Sequence, residues 1–254
     1  MVNERLKEMA EFIRLHQTVT LSALQKKFPD VSSMTLRRDL IKLEDAGLIV
    51  RIKGGARSLS AFADIYNKED SFSKRIHQNV EQKAEIAQKA KKLIGSERSL
   101  YLDPGTTVLH LANCLPKSGL FLCTNGPNIA LELLKHTNCD VFLVGGQLGR
   151  ENVCVAGPTA MEYIKDVNIE LAFFAASGFT PEAGFTCANG NECALKRAIA
   201  EKAGRVIVLM DSSKLGRQMP YTFATTEQVD ILVSDSAFPS DVANKLRSSG
   251  LDVI

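Results

Sequence analysis

At 254 residues, with 45% apolar and 24% charged residues, the chain has room for a small domain beside a large one and the composition of a soluble globular protein. No apolar run reaches the roughly 18 residues of a membrane span, and the opening MVNERLKEMAEFIR is charged and periodic where a secretory segment needs an apolar stretch. The expectation is a cytoplasmic protein with no membrane partner. The net charge of +2 hides an asymmetry, since residues 1–60 hold eleven Lys and Arg against seven Asp and Glu, a basic excess that fits a polyanionic partner at the N-terminus.

The first elements are helical. In RLKEMAEFIRLH, Leu6, Met9, Ala10 and Ile13 follow the i, i+3, i+4, i+7 spacing of one buried helix face. LSALQKKF reads as a second short helix with Ser22 as its cap, and VSSMTLRRDLIKLEDAGLI as a third, opened by Ser32 or Ser33 and closed near Gly47. At about 100° per residue Leu36, Leu40 and Leu43 share one side of the third helix. Thr35, Arg38 and Lys42 fall roughly opposite, flanked by Arg37 and Ser33. Such a helix packs through its leucines and offers DNA hydroxyls and cations, as a helix-turn-helix recognition helix does. GLIVRIKGGARSL then reads as a hairpin turning at Gly54-Gly55, a basic wing that carries Arg51, Lys53 and Arg57 toward phosphates.

Helix, helix, recognition helix and wing in this order make a winged helix. The stretch SMTLRRDLIKLEDAGLIVRIKGGA resembles the N-terminal signature of the DeoR family of bacterial transcriptional regulators, in which T-[IL]-R-R-D-L is followed by L-E-x-x-G and R-x-x-G-G-A. The chain departs from that pattern in KKFPDVSS, where Pro29 and Asp30 lengthen the turn before the third helix. The domains expected are a winged helix over 1–57, a linker over 58–80 that is rich in Ser, Asn and charges, and an α/β domain over 81–254.

That second domain opens with the helix EQKAEIAQKAKKLI, whose packing face is read as Ala84, Ile86, Ala87 and Leu93. Seven short apolar runs follow: SLYLD, LFLCTN, DVFLVGG, ELAFFAAS, RVIVLMD, ILVSD and LDVI. Most are continuously apolar, as strands buried on both faces are, and helical stretches such as TTVLHLANCL, NIALELLKHT, TAMEYIKDV and ECALKRAIAEKA separate them. The fold expected is α/β with a mainly parallel sheet between helices. The six cysteines form no C-x-x-C pair and have no histidine at metal-ligand spacing; they read as buried thiols, and no metal or cofactor is called for.

In open parallel sheets ligands gather at the carboxyl ends of the strands. Here those ends carry Asp103-Pro104-Gly105-Thr106-Thr107, Thr124-Asn125-Gly126, Gly145-Gly146 and Asp211-Ser212-Ser213-Lys214. Gly105 permits close approach, Thr106 and Thr107 bring hydroxyls, and the next helix begins there, a setting suited to a phosphate. A plain Pro-Gly turn with a threonine cap would have the same sequence, and neither phosphate motif, G-x-x-x-x-G-K-[ST] or G-x-G-x-x-G, is present.

The segment also resembles the effector domain of the DeoR family over nearly its whole length. The matches are the D-x-G-T-T loop, Thr124-Asn125, Gly145-Gly146, GFT at 184–186, Glu192 and Lys196 in NECALKRAI, and DSSKLGR at 211–217; Pro104 and Ala175 depart from the residues many relatives carry. That domain is in turn similar to ribose-5-phosphate isomerase. The resemblance implies a regulator, read as a repressor, that binds operator DNA as a homo-oligomer. Its effector would be a phosphorylated sugar, with Lys196 or Lys214 as the cationic partner of the phosphate. The alternative is an isomerase carrying a DNA-binding domain, which needs carboxylates placed for proton abstraction. FFAASGFT, Phe173 to Thr180, supplies none where the enzyme has an acidic pair, so no enzyme is expected.

Overall fold

The computed structural model describes residues 4–16, 18–46, 48–52, 54–58 and 70–254; Gly47, Lys53 and residues 59–69 lie outside them, as does the side chain of Arg57. The chain divides into two compact units, Met1–Lys68 and Glu69–Ile254.

The first unit runs α1 (Glu4–His16), β1 (Thr18–Thr20), α2 (Leu21–Lys27), α3 (Ser33–Asp45), β2 (Ile49–Ile52) and β3 (Gly55–Ser58). Leu6, Met9 and Ile13 meet Leu24, Leu36, Leu40, Leu43 and Ile49 in one small core, so the leucine face of α3 points inward as its spacing predicts. The cap of α2 is Thr20 rather than Ser22: the Thr20 hydroxyl accepts from the Ala23 amide at 3.1 Å, one residue before the helix begins. Ser32 caps α3 through the Thr35 amide. β2 and β3 form the wing, and β1, which the sequence analysis did not identify, pairs antiparallel with β3. Its two glycines have different tasks. Gly54 turns with φ +88°, while a Cβ on Gly55 would stand 2.0 Å from the Val19 carbonyl oxygen.

All seven apolar runs of the second unit are strands of one parallel sheet: β4 (Ser99–Leu102), β5 (Phe121–Thr124), β6 (Asp140–Leu143), β9 (Leu171–Ala175), β12 (Arg205–Leu209), β14 (Ile231–Val233) and β15 (Asp252–Val253). Their order is β15-β14-β12-β9-β4-β5-β6. The chain starts in the middle at β4, builds outward to β6, then returns to β9 and builds the other way, so the topology reverses between β4 and β9. Alternate strand residues enter two cores. Leu100, Leu102, Leu171, Phe173, Ile207 and Leu209 face the helices Val80–Lys91, Thr106–Ala112 and Pro127–His136. Tyr101, Ala172, Phe174, Val206 and Val208 face the other side, which the helices Pro158–Ile164 and Gly190–Lys202 cover. Burial on both faces is why these runs are uninterrupted.

Two small antiparallel pieces escaped the sequence analysis: the hairpin of β7 (Gln147–Gly149) with β8 (Cys154–Ala156), and a sheet of β10 (Gly178–Thr180), β11 (Gly184–Cys187) and β13 (Tyr221–Ala224). On the helix Val80–Lys91 the packing face is Lys83, Ile86, Ala87 and Ala90; Ala84 is exposed, because buried Lys83 takes its place and donates to the carbonyl oxygens of Arg75 and Gln78. Residues 70–80, read as the end of the linker, belong to the second unit and include the helix Phe72–Arg75. Among the described residues no helix is long and apolar enough to cross a membrane.

Candidate functional site

The two units each carry a candidate site. On α3, Ser33, Arg37, Arg38 and Lys42 are exposed and Thr35 is half-buried, its hydroxyl 2.9 Å from that of Ser32. Asp39 of the RRDL stretch is buried and accepts from Arg5 Nε at 2.9 Å, which fixes α3 against α1. Arg51, on the wing, is tied back to α3: Glu44 accepts from its amide at 2.9 Å and from its Nε at 2.5 Å. The contact holds the Glu44 carboxyl below the usual carboxylate range, first through the Arg51 amide and then through its guanidinium. Between helix and wing lies a groove of about 310 Å³ lined by Arg37, Ile41, Arg51, Ile52, Gly54 and Gly55. Met34 and Ile41 are exposed on the same arc as Arg37 and Arg38. The sequence analysis placed only Leu36, Leu40 and Leu43 and passed over these two, although their angular positions at 100° per residue would have revealed them. Apolar contacts there are what a thymine methyl meets in the major groove.

In the second unit the site sits where the topology reverses, at the carboxyl ends of β4 and β9. Asp103 and Lys196 are 1% and 2% exposed, and Glu192 5%. The Lys196 ammonium donates to Asp103 Oδ2 at 2.9 Å and the Ala175 carbonyl oxygen at 2.8 Å, and lies 3.2 Å from Glu192 Oε1. The first two are hydrogen bonds and the third is an ion pair. Asp103 Oδ2 also accepts from the Ala175 amide at 3.0 Å, so this carboxyl bridges the two strands, while its Oδ1 is buried without a hydrogen-bond partner among the described residues. Burial pushes the Asp103 carboxyl up to about 6 against the pull of Lys196. Burial also disfavours the Lys196 ammonium, but Asp103 and Glu192 outweigh it and hold its pKa above the ordinary lysine range.

Of the effector residues read from the sequence, Asp103, Gly105, Glu192 and Lys196 line one cavity of about 20 Å³. A Cβ on Gly105 would stand 2.2 Å from the Ala175 Cβ, so only glycine fits there. Thr106 and Thr107 are buried in the first turn beyond it. The others serve the surrounding frame. Thr124 donates to the Leu102 carbonyl oxygen at 2.6 Å; Asn125 accepts from the Tyr101 hydroxyl at 2.7 Å and donates to the Val155 carbonyl oxygen at 2.9 Å. Gly145 and Gly146 lie beyond the edge strand β6, where Gly146 has φ +145° and packs beside Ala156. Asp211 accepts from Asn79 Nδ2 at 2.9 Å and caps the short turn that carries Lys214. Arg75, Asn152 and Ser177 complete the cavity lining and were not anticipated. No local pattern marks them, because they come from a short helix and two loops that only the folded chain brings together. FFAASGFT adds no carboxylate, but Asp103 and Glu192 bring two from elsewhere.

Comparison with known proteins agrees with this architecture. The family described as "DeoR-like helix-turn-helix domain" matches residues 5–62, and "DeoR C terminal sensor domain" matches residues 78–236. The HTH-type transcriptional regulator GlpR of Haloferax volcanii is 35% identical over 88% of this chain and 86% of its own. The HTH-type transcriptional repressor GlcR of Bacillus subtilis is 30% identical over 99% of this chain and 95% of its own. Among solved structures, a D-ribose-5-phosphate isomerase in complex with phospho-erythronic acid matches 54% of each chain at 19% identity and a TM-score of 0.40. The chain is a member of the DeoR family of transcriptional regulators, a helix-turn-helix domain joined to a DeoR sensor domain.

Proposed function

We propose that the protein is a repressor of a sugar-metabolism operon, that its winged helix binds operator DNA, and that a phosphorylated sugar bound beside Asp103 and Lys196 controls that binding. The buried Asp103–Lys196–Glu192 set at the topology reversal carries the reading. A charged constellation kept out of water is costly unless it is well paired, and Asp103, which lines the cavity, has a buried Oδ1 without a partner among the described residues, an acceptor that a sugar hydroxyl would satisfy. On DNA, Arg37, Arg38 and Lys42 of α3, with Ser32, Ser33 and Thr35 at its start, would meet bases and phosphates, with Arg51 and Lys53 on the wing. The names of the relatives, a repressor among them, support the same reading.

Paired half-sites on DNA call for paired readers, so the protein acts as a homo-oligomer, a dimer or tetramer. An effector that weakens operator binding must itself bind more weakly to the DNA-bound form. Sensing is favoured over isomerisation because Lys196 commits both carboxyl groups to one ammonium, whereas a general base must be able to exchange its proton with the substrate. Footprinting upstream of the protein's own gene at low salt, with and without phosphorylated sugars, tests the reading. A protected palindrome that such a sugar releases is the expected result. No protection under any condition, or turnover of ribose 5-phosphate by the purified protein, would sink it.

A further inference from the structure

The sensor cavity, at about 20 Å³, holds little more than one water molecule, whereas small-molecule sites span roughly 300–1,000 Å³. A sugar phosphate therefore requires one wall to move. Asp103 and Ala175 belong to the central strands, and Lys196 to a 13-residue helix packed on the sheet. Arg75 differs. It sits on the four-residue helix Phe72–Arg75, at the point where the chain enters the second unit.

That segment is a strap pinned to the loops around the cavity. The Phe72 amide donates to the Glu151 carbonyl oxygen at 2.9 Å, and Arg75 Nη2 to Asn152 Oδ1 at 3.4 Å. Asn79, in the left-handed region at φ +49°, donates to Asp211 Oδ1 at 2.9 Å and to the Ser213 hydroxyl at 3.0 Å. Lys83 holds the strap from beneath through two carbonyl oxygens.

Charge distinguishes Arg75 further. The cavity brings together two carboxyl groups and one ammonium, and that ammonium is already bonded to Asp103 and the Ala175 carbonyl oxygen and paired with Glu192, so Lys196 is engaged before any phosphate arrives. Arg75 is the other cation of the lining and has the forked geometry that suits phosphate. Burial pushes the nearby Lys83 ammonium down to about 8, with Asp211 opposing and the charges of Lys214 and Arg75 adding to the fall. An anion arriving here would relieve that crowding of cations.

We propose that Arg75 grips the phosphate of the effector and that the strap, residues 70–79, shifts when it does, so that ligand occupancy is read through the segment that leads from the DNA-binding domain. The proposal rests on the phosphorylated-sugar reading above and adds the residue and the moving element to it. Asn152, which holds Arg75 with its oxygen and Glu192 Oε2 with its nitrogen at 2.8 Å, links the strap to the buried charges.

The test uses the full-length protein with inorganic phosphate, glucose 6-phosphate, ribose 5-phosphate, fructose 1-phosphate and the unphosphorylated sugars as probes, read by thermal shift and by hydrogen exchange. The wild type should be stabilised by a phosphorylated probe, with altered exchange at the amides of 72–79. Arg75→Gln should weaken that probe at least tenfold and Arg75→Lys by less, while both bind operator as the wild type does. The Arg75 backbone carbonyl that Lys83 uses is unchanged in either variant. If Arg75→Gln binds the phosphorylated probe as tightly as the wild type, or the strap amides do not respond, the proposal is overturned and the effector reading stands. If the wild type responds to no phosphorylated probe, or only to unphosphorylated sugars, both fall together.

Discussion

Replacing Lys196 by methionine deletes one ammonium and keeps most of the side chain's bulk, including the stem beside the Phe223 ring, whose centroid lies 4.8 Å from Nζ. What remains is two carboxyl groups, 1% and 5% exposed, that have lost the ammonium 2.9 and 3.2 Å away. Removing one partner of a buried ion pair costs about 3–5 kcal/mol. In a unit the size of Glu69–Ile254, each kcal/mol moves the midpoint by about 2–4 °C, so a fall of about 6–20 °C is expected by calorimetry at pH 7.5.

The pH dependence checks the cause. A carboxyl whose folded pKa is raised contributes stability that is present below its unfolded pKa, near 4, and lost as pH rises through the folded value. Asp103 is already up at about 6 with the ammonium in place, and loss of that ammonium raises it further. The gap between Lys196→Met and wild type should therefore widen from pH 5 to pH 8, and adding Asp103→Asn should recover part of it. A midpoint within about 2 °C of the wild type (less than 1 kcal/mol by the same scaling), or a gap that does not change with pH, would refute the view that these charges are buried and mutually dependent.

Gly105→Ala places a Cβ 2.2 Å from that of Ala175; the overpacking should cost about 1–3 kcal/mol and abolish effector-induced stabilisation in a thermal-shift assay, while operator affinity without effector is kept. Arg38→Ala should weaken operator binding by about 1–3 kcal/mol if it reads a base, or lower the slope of log affinity against log salt by about one if it meets a phosphate; fluorescence anisotropy across a salt series separates the two, and no change in either excludes Arg38 from the interface. Arg5→Ala leaves the buried Asp39 carboxyl without its 2.9 Å partner, which should cost the winged helix about 1–3 kcal/mol, seen as faster hydrogen exchange in α3 with the second unit's exchange unchanged.

Much of the architecture was legible before folding because its signals are local. The inward leucines of α3 follow from 100° per residue, and the seven strands from apolar runs that need cover on both faces. Finer points escaped it: Thr20 replaced Ser22 as a cap through its own local bond to the Ala23 amide, Lys83 took a core position from Ala84 by donating to two carbonyl oxygens, and Met34 and Ile41, which helical geometry alone puts beside Arg37 and Arg38, were not placed. The strands β10, β11 and β13 were missed because each is three or four residues long, and β13 reaches β11 across nearly forty residues, as Phe185 pairs with Ala224.

The candidate effector site divides in the same way. The strand-end loops and the glycine of D-x-G-T-T are visible in the chain as residue types, while Glu192 and Lys196 stand out only through the resemblance to the DeoR effector domain. Which of them meet is decided by the order of strands in the sheet: the reversal between β4 and β9 brings Asp103 beside Ala175 and the helix bearing Lys196, while Gly145 and Gly146 are carried to the far edge beyond β6. Sequence spacing determines which face of a helix or strand a side chain occupies, because backbone geometry repeats over a few residues. It says nothing of partners 93 residues apart, such as Asp103 and Lys196, whose meeting depends on how the whole chain closes its two cores.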